Sequence, residues 1–396
     1  MKDNSGNIAL NIETYIAGNN QPTHPNVIQF NKPWNGFRYY MGYTPYPYAN
    51  GSEENPCLAC SNDLINWKKP EGLINPIATC EELECDELKD SHLLYRDDLD
   101  RLEMWYLGRL HSTIVEKGEL CCFRKISNDG SHWSNYQIVM KNIDFLSPSI
   151  IWNGKEYLLW GIKSNKGLYF KKSVDAVNWT EEIKCDIPNI EETQIWHGTV
   201  SYTNNQYCFV WVGNGKKSRN EIYFSTSNDG EEFTDYKIVI TNNRWKYLYR
   251  PCMIFENNMF YCYYGVIRHD GKWLISLSKG KEVDNLLGIT SNELSSESSN
   301  AELMYSNNIQ KLKYKFRDIS KLFSLIMFIF ELILVFALLI FNDNILYVWF
   351  ISLIVGFVLS YIKIQKDFYI SIKQSLFMSV ICCSLVNFIF DIFQLL

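Results

Sequence analysis

Five apolar strand segments in this chain open on a polar residue followed by Pro, Gly or Ser: His24 before Pro25, Asp90 before Ser91, Ser147 before Pro148, His197 before Gly198, and Arg250 before Pro251. Residues of these types at one repeated position suggest a shared polar site. Histidine can donate or accept a proton in catalysis because its pKa lies near neutrality. Asp90 offers a base, or else pairs with Arg250 across a channel. Glu54, in Glu54-Asn55-Pro56, is the second candidate base. His24 and His197 have a plainer alternative as hydrogen-bonding residues of the interior. His24, Asp90, His92 and His197 are also metal-ligand types, but no short-range ligand spacing joins them, so neither metal nor cofactor is expected.

The elements that would hold these residues form a repeat. Ser61-Asn-Asp-Leu-Ile-Asn-Trp67 recurs as Ser127-Asn-Asp-Gly-Ser-His-Trp133, Ser173-Val-Asp-Ala-Val-Asn-Trp179 and Ser227-Asn-Asp-Gly-Glu-Glu-Phe233. The first serines stand 66, 46 and 54 residues apart, the period of a propeller blade. Ser-x-Asp signals a tight hairpin, and the aromatic starts the next strand. Before each turn the order is constant: an apolar strand, a short turn, then an aromatic strand such as Glu103-Met-Trp-Tyr-Leu or Gln206-Tyr-Cys-Phe-Val-Trp. A fifth copy lacks the Ser-x-Asp turn and carries Lys272-Trp-Leu-Ile-Ser-Leu-Ser. The reading is an all-β, five-bladed β-propeller of four-stranded blades over residues 21–288, after an N-terminal lead of 1–20. In such a blade the innermost strand begins on the same face as the loop joining strands two and three. Glu54 lies in that loop of the first blade.

This rhythm, the Pro at blade starts and the Ser-x-Asp-Gly-x-x-Trp turns resemble the five-bladed propeller glycoside hydrolases, the arabinanase, β-xylosidase and invertase-like group that includes family 43. The resemblance covers about residues 20–285. It implies a sugar pocket on the axis, with catalytic carboxylates just before the Pro or Gly that opens blades one, three and four. Here those places hold His24, Ser147 and His197, so all three depart from the pattern. Glycoside hydrolysis uses one carboxyl to protonate the leaving oxygen and a second to attack or to activate water. The expected assignment is therefore His197 as acid and Asp90 or Glu54 as base. His24, Ser147 and Arg250 would contact substrate, and Trp34, Tyr43, Tyr46, Trp196 and Trp245 would either stack on sugar rings or pack the blades. The function so implied is a glycoside hydrolase-like protein with an atypical His/Asp site that binds or cleaves a glycan or glycan precursor. The alternative is a non-catalytic glycan- or protein-binding propeller serving as a membrane-tethered scaffold or sensor.

Composition agrees with the repeat. Aromatic residues make up 15% of the chain, which suits strands and sugar-stacking surfaces. A net charge of −6 without a Lys/Arg tract argues against nucleic acid. The 12 cysteines show no completed zinc pattern, and several sit in apolar strands, a usage that fits a reducing compartment. After a polar Ser-rich linker and a basic juxtamembrane segment (289–320), the last module (321–396) reads as membrane-spanning α-helices. The runs are 322–341, 345–362 and a third at 375–396, of a length that crosses a bilayer core of about 30 Å. Lys311, Lys313, Lys315, Arg317 and Lys321 precede the first run, and Lys363, Lys366 and Lys373 follow the second, with none in the turn between them. The positive-inside rule then puts the propeller in the cytoplasm, in keeping with the thiols and the absence of an apolar leader in residues 1–20. Glu331 in the first run would hydrogen-bond to Asn387 or Asp391, or line an ion path. Expected partners are a carbohydrate and the bilayer, with oligomerisation through the spanning helices.

Overall fold

The computed structural model of the chain describes residues 8–112, 118–291 and 293–294. The runs 322–341, 345–362 and 375–396, with Glu331, Asn387 and Asp391, lie outside them. Among the described residues no helix is long and apolar enough to cross a membrane.

Five antiparallel sheets follow one another along the chain. Blade one contains β1 (Pro22–Trp34), β2 (Phe37–Pro45) and β3 (Cys57–Ser61). Blade two contains β4 (Cys85–Arg96), β5 (Arg101–Leu110), β6 (Leu120–Ser127) and β7 (Gln137–Met140). Blade three contains β8 (Leu146–Trp152), β9 (Tyr157–Lys163), β10 (Gly167–Ser173) and β11 (Ile183–Lys184). Blade four contains β12 (Ile195–Thr203), β13 (Gln206–Gly213), β14 (Glu221–Ser227) and β15 (Lys237–Thr241). Blade five contains β16 (Tyr247–Glu256), β17 (Met259–Ile267), β18 (Trp273–Gly280) and β19 (Leu287–Gly288). The innermost strands touch in a closed ring: β1 meets β4, β4 meets β8, β8 meets β12, β12 meets β16, and β16 returns to β1. This is a five-bladed propeller. Blade one departs from the four-strand expectation, since its outer strand shrinks to a single bridge between Cys60 and Lys68.

The N-terminal lead does not stay outside the fold. Ile8 N–H donates to Ile289 O at 3.2 Å and Leu10 N–H to Ile275 O at 2.8 Å, so this segment completes the outer edge of blade five and closes the ring. Leu10 and Ile12 are buried in the core between blades one and five.

Five apolar cores fill the five gaps between neighbouring blades. A second strand covered on both faces has no solvent side, which explains its unbroken aromatic and apolar run in place of alternation. Trp105, Trp160 and Trp211 on β5, β9 and β13 are fully buried for that reason. The four Ser-x-Asp turns are the same structure repeated. In each, the serine Oγ accepts the backbone N–H of the residue three on: Leu64 at 3.1 Å, Gly130 at 2.8 Å, Ala176 at 2.9 Å and Gly230 at 2.8 Å. The aspartate Oδ1 accepts the next two N–H groups, as Asp229 does from Glu231 and Glu232 at 2.9 Å each. The accepting chain bends through positive φ at that fourth place, which glycine fills in two copies. Gly230 is further constrained, because a Cβ there would lie 2.7 Å from the Trp160 ring. The turn aromatics pack across the gap, Trp67 edge-on to Tyr263 and Trp179 edge-on to Trp105.

Candidate functional site

Each innermost strand breaks register at its blade-opening residue or, in blade four, at Trp196 just before it. The irregularities fall between Thr23 and Asn26, Lys89 and His92, Leu146 and Ser149, Ile195 and His197, and Tyr249 and Pro251. A bulge inserts one unpaired residue and re-aims its side chain. His24, Asp90 and Ser147 take positive φ there, at 52°, 54° and 51°. Such backbone costs of order 1–3 kcal/mol per non-glycine residue and persists where the surroundings over-determine it. The ring of strands therefore points five repeated bulges at one place, and the sequence repeat at 24, 90, 147, 197 and 250 is the trace of that geometry.

At its centre is Asp90. Its Oδ1 accepts from Arg250 Nη1 at 3.1 Å, and its Oδ2 accepts the Ser147 backbone N–H at 2.9 Å. His24 Nε2 and His197 Nδ1 each stand 3.6 Å from Oδ1. Ser147 Oγ and His197 Nδ1 are 2.7 Å apart, and the Tyr249 hydroxyl lies 3.0 Å from His197 Nε2. His24 Nδ1 is 2.8 Å from Thr44 Oγ1 and 2.9 Å from Glu54 Oε1. Glu54 Oε1 is off the line of a hydrogen bond, so it and His24 Nε2 are buried atoms without a hydrogen-bond partner among the described residues. Leaving such atoms unmet costs on the order of 1–3 kcal/mol each, and the two orphans mark where a ligand group would be satisfied. Glu54 itself follows a short turn, Gly51–Glu53, that Tyr15 and Asn55 pin through Glu53.

The cluster lies deeper than a channel mouth: Arg250 is 0% and Asp90 1% exposed. Burial sets the protonation states. For Asp90, burial alone would raise the pKa, but the Arg250 charge first, then the neighbouring His197 and His24 and the Ser147 N–H, hold it well below the usual carboxylate range. For Glu54, burial and then the neighbouring Asp90 charge push the carboxyl well above its ordinary value. Burial lowers His24 and His197 to about 3 against the opposing pull of Asp90. Burial thus favours the neutral forms of Glu54 and of both imidazoles, while Asp90 keeps its charge. Two carboxyls driven apart in this way can divide proton-holding from charge-holding.

Aromatic rings cover the cluster. Trp196 lies 4.6 Å from His197 and 5.1 Å from Tyr249 (ring centroids), and Trp273 lies 4.9 Å from Tyr249 and 5.1 Å from Tyr46. Trp196 and Tyr46 are half-buried and outermost. Of the aromatics read from sequence, these two reach the axis. Trp34 stands ten positions beyond His24 on β1, about 30 Å away along a strand. It packs between blades one and two, stacked on Phe30 with its Nε1 donating to Asp100 at 2.7 Å. Tyr43 points into the core between blades one and five and donates to Glu13 O at 2.6 Å. Trp245 lines a rim cleft of blade five. Both Trp34 and Tyr43 are therefore blade-packing residues rather than part of the axial cluster. Tyr249, Trp273 and Thr44 are axial residues that the sequence reading missed. Tyr249 carried a signal, since it precedes Arg250 as Trp196 precedes His197.

His92 turns away from the axis, its Nε2 3.0 Å from Ile150 O. Among the described residues no group of three or more His, Cys, Asp or Glu side chains has the arrangement to hold a metal ion. The cation nearest Asp90 is the Arg250 guanidinium.

No family model matches the chain. It is 26% identical to the A type blood N-acetyl-α-D-galactosamine deacetylase of Flavonifractor plautii, over 53% of this chain and 34% of that protein, so it spans about a third of the relative's length. Among solved structures it is similar to an N-acetylgalactosamine deacetylase from F. plautii in complex with blood group B trisaccharide, with a TM-score of 0.59 and 19% identity over 72% of this chain and 97% of that one. A GH43_1 enzyme from Xanthomonas citri complexed with xylose gives a TM-score of 0.54 at 8% identity over 72% and 94%. A GH43 β-xylosidase/α-arabinofuranosidase from a compost microbial metagenome gives 0.52 at 9% over 72% and 98%. At these identities the shared feature is the propeller fold.

Proposed function

We propose that the protein acts on glycans as a hydrolase of an amino sugar's N-acyl amide, rather than of a glycosidic bond. The observation that carries this reading is the inequality of the two axial carboxyls. Glycoside hydrolysis uses two, one on each side of the scissile bond. Asp90 is committed to Arg250 and the Ser147 N–H, which leaves Glu54 as the carboxyl with an unengaged oxygen. Amide hydrolysis uses a base for the attacking water, an acid for the leaving nitrogen and a donor for the tetrahedral oxyanion, of which only one need be a carboxyl. His24, neutral and 2.9 Å from Glu54, accepts the proton of the attacking water. Glu54, protonated by burial, delivers a proton to the leaving nitrogen. Water adds to the acyl carbon, the C–N bond breaks, and the products are a carboxylic acid and a free amino sugar. The Tyr249 hydroxyl, kept protonated by burial, is the donor closest to hand for the oxyanion. Trp196 and Tyr46 flank the entry and offer faces for a sugar ring. The name of the curated relative supports the same chemistry. We further propose that the C-terminal apolar runs tether this propeller to a bilayer on its cytoplasmic side, a reading supported by the lysines and arginine that flank them.

The test uses the full chain in detergent with aryl glycosides of N-acetylgalactosamine and N-acetylglucosamine. Free acetate without released aryl alcohol is expected. Aryl release without acetate would restore the glycosidase assignment with His197 as acid, and binding with neither product would favour a non-catalytic module.

A further inference from the structure

Beyond the axis, one sector of the same face carries an unusual charge. In antiparallel blades the loops joining second to third strands, and those entering first strands, lie on the face where the axial bulges open. Of these loops in blades four and five, residues 185–194 carry Asp186, Glu191 and Glu192, and the other three are residues 214–220, 242–246 and 268–272. These three hold Lys216, Lys217, Arg219, Arg244, Lys246, Arg268 and Lys272 against the single acid Asp270, in a chain whose net charge is −6. The corresponding loop of blade one, residues 46–56, holds Glu53 and Glu54 and no Lys or Arg. The three loops therefore form a basic sector that adjoins the acidic loop of blade one.

The basic sector is joined to the site and is concave. Arg219 lies over Trp196, 4.8 Å from its ring, and 5.3 Å from the Tyr247 ring, and Trp196 in turn contacts His197. Two residues before Tyr247, Trp245 carries the Arg244 guanidinium 4.9 Å over its ring. Arg244, Trp245, Arg268, His269 and Asp270 line a cleft of about 590 Å³. The Trp245 Nε1 in this cleft is a buried donor with no hydrogen-bond partner among the described residues. Two arginines and an unpartnered indole N–H in one cleft form a site for an oxyanion. Arg presents a planar fork that matches carboxylate, sulfate or phosphate.

We infer that this cleft is a subsite for an acidic substituent, so that the glycan taken at the axis is anionic: an N-acylated amino sugar next to a uronic acid, or one bearing sulfate or phosphate. The inference rests on the glycan reading above and names the substrate class of that site. Concavity favours a glycan over a flat anionic lipid surface.

The experiment compares the full chain's binding to a hyaluronan tetrasaccharide with its binding to neutral tetra-N-acetylchitotetraose, together with acetate release from each. The acidic probe is expected to bind at least about tenfold tighter, the weight of one charge-assisted hydrogen bond, with the preference falling as salt rises. Arg268→Gln should remove about tenfold of that preference and leave the neutral probe unchanged. Asp270→Asn, which removes the acid 3.1 Å from Arg268, should strengthen acidic binding. A heparin-type sulfated tetrasaccharide and inorganic phosphate show which oxyanion is preferred. Equal binding of both tetrasaccharides, or a preference that Arg268→Gln leaves intact, overturns the subsite even if acetate is released. Acidic binding that responds to both variants without acetate release overturns the amidase reading and keeps the subsite. Binding to phosphatidylserine vesicles with no binding to either tetrasaccharide overturns the subsite in favour of a lipid contact.

Discussion

Replacing Asp90 by Asn tests whether the axial cluster is built around one ion pair. Arg250 is fully buried, and its charged partner is Asp90 at 3.1 Å; after the change its remaining acceptor is Pro148 O at 3.4 Å. Leaving a buried charge unpaired costs about 3–5 kcal/mol. Asn keeps the volume and can still accept the Ser147 N–H, so the loss reports charge rather than packing. Against the roughly 5–15 kcal/mol of net stability common to folded domains, such a loss is severe. Arg250→Met alone leaves an ionised Asp90 that burial opposes, and it should also destabilise. The double variant removes both charges and should recover most of the loss, since replacing a buried pair by apolar groups is often near neutral. Urea unfolding followed by tryptophan fluorescence on the four proteins closes the cycle, with an expected coupling of at least about 2 kcal/mol. If Asp90→Asn costs under about 1 kcal/mol, or if the two losses simply add, the pair does not organise the axis and the argument for a committed Asp90 fails.

Further outcomes follow from the same geometry. His24, His92 and His197 sit at about 3 in the fold against an ordinary 6.5, so the unfolded chain binds more protons between those values. Stability should then fall as pH drops from 6.5 towards 3, by up to about 1.4 kcal/mol per pH unit for each histidine; melting across pH should show this, and His197→Gln should flatten it. Glu54 has the opposite sign, because its raised pKa gives stability that is lost as pH climbs above 4.5 through the folded value; Glu54→Gln should lower acetate release by about 100-fold or more while circular dichroism is unchanged. Gly230→Ala puts a Cβ 2.7 Å from Trp160 at a φ of +83° and should cost at least about 1–2 kcal/mol in urea unfolding, whereas a loss under 0.5 would mean the turn is pliable. A chain ended after Leu294 should stay soluble and β-rich without detergent, because Ile289 and Leu294 already pack into the core between blades one and five; a helical or insoluble product would refute that closure.

Repetition decided what could be read from the chain. The Ser-x-Asp turns and the polar residue opening each first strand recur four and five times, and both map onto one physical event per blade, a side-chain-capped hairpin and a register bulge. Features present once were not legible. The outer strand of blade one is a lone bridge, and the N-terminal closure uses Ile8 and Leu10, whose partners lie more than 260 residues away. Parity decides Tyr43 in favour of blade packing, since Tyr39, Met41 and Tyr43 share the face of β2 that packs towards blade five. Distance decides Trp34 the same way, since a long first strand carries its last residue to the opposite face. Burial was the largest omission: a row of polar residues in a sequence looks like a wet channel, and nothing local shows that aromatic side chains from blades four, five and one close over it.

That burial decides how the carboxyls can share the work. In an open, solvated mouth, Asp90 and Glu54 would both ionise and either could serve as base. In the closed cluster, Arg250 helps to hold Asp90 ionised, while burial and then the Asp90 charge favour the protonated form of Glu54. His24 lies between them, 2.9 Å from Glu54 and 3.6 Å from Asp90. Any proton His24 takes up during a reaction is therefore stabilised by the Asp90 charge, which already opposes the effect of burial on its pKa. Asp90 need not touch substrate to matter: it makes a buried imidazole a stronger base than its surroundings allow. The double variant of Asp90 and Arg250, refolded but without the charge, should accordingly bind glycan while turning over more slowly, with the acid limb of its pH profile displaced to lower pH. If it turns over with an unchanged pH profile, His24 does not depend on Asp90 and the proton route must run elsewhere.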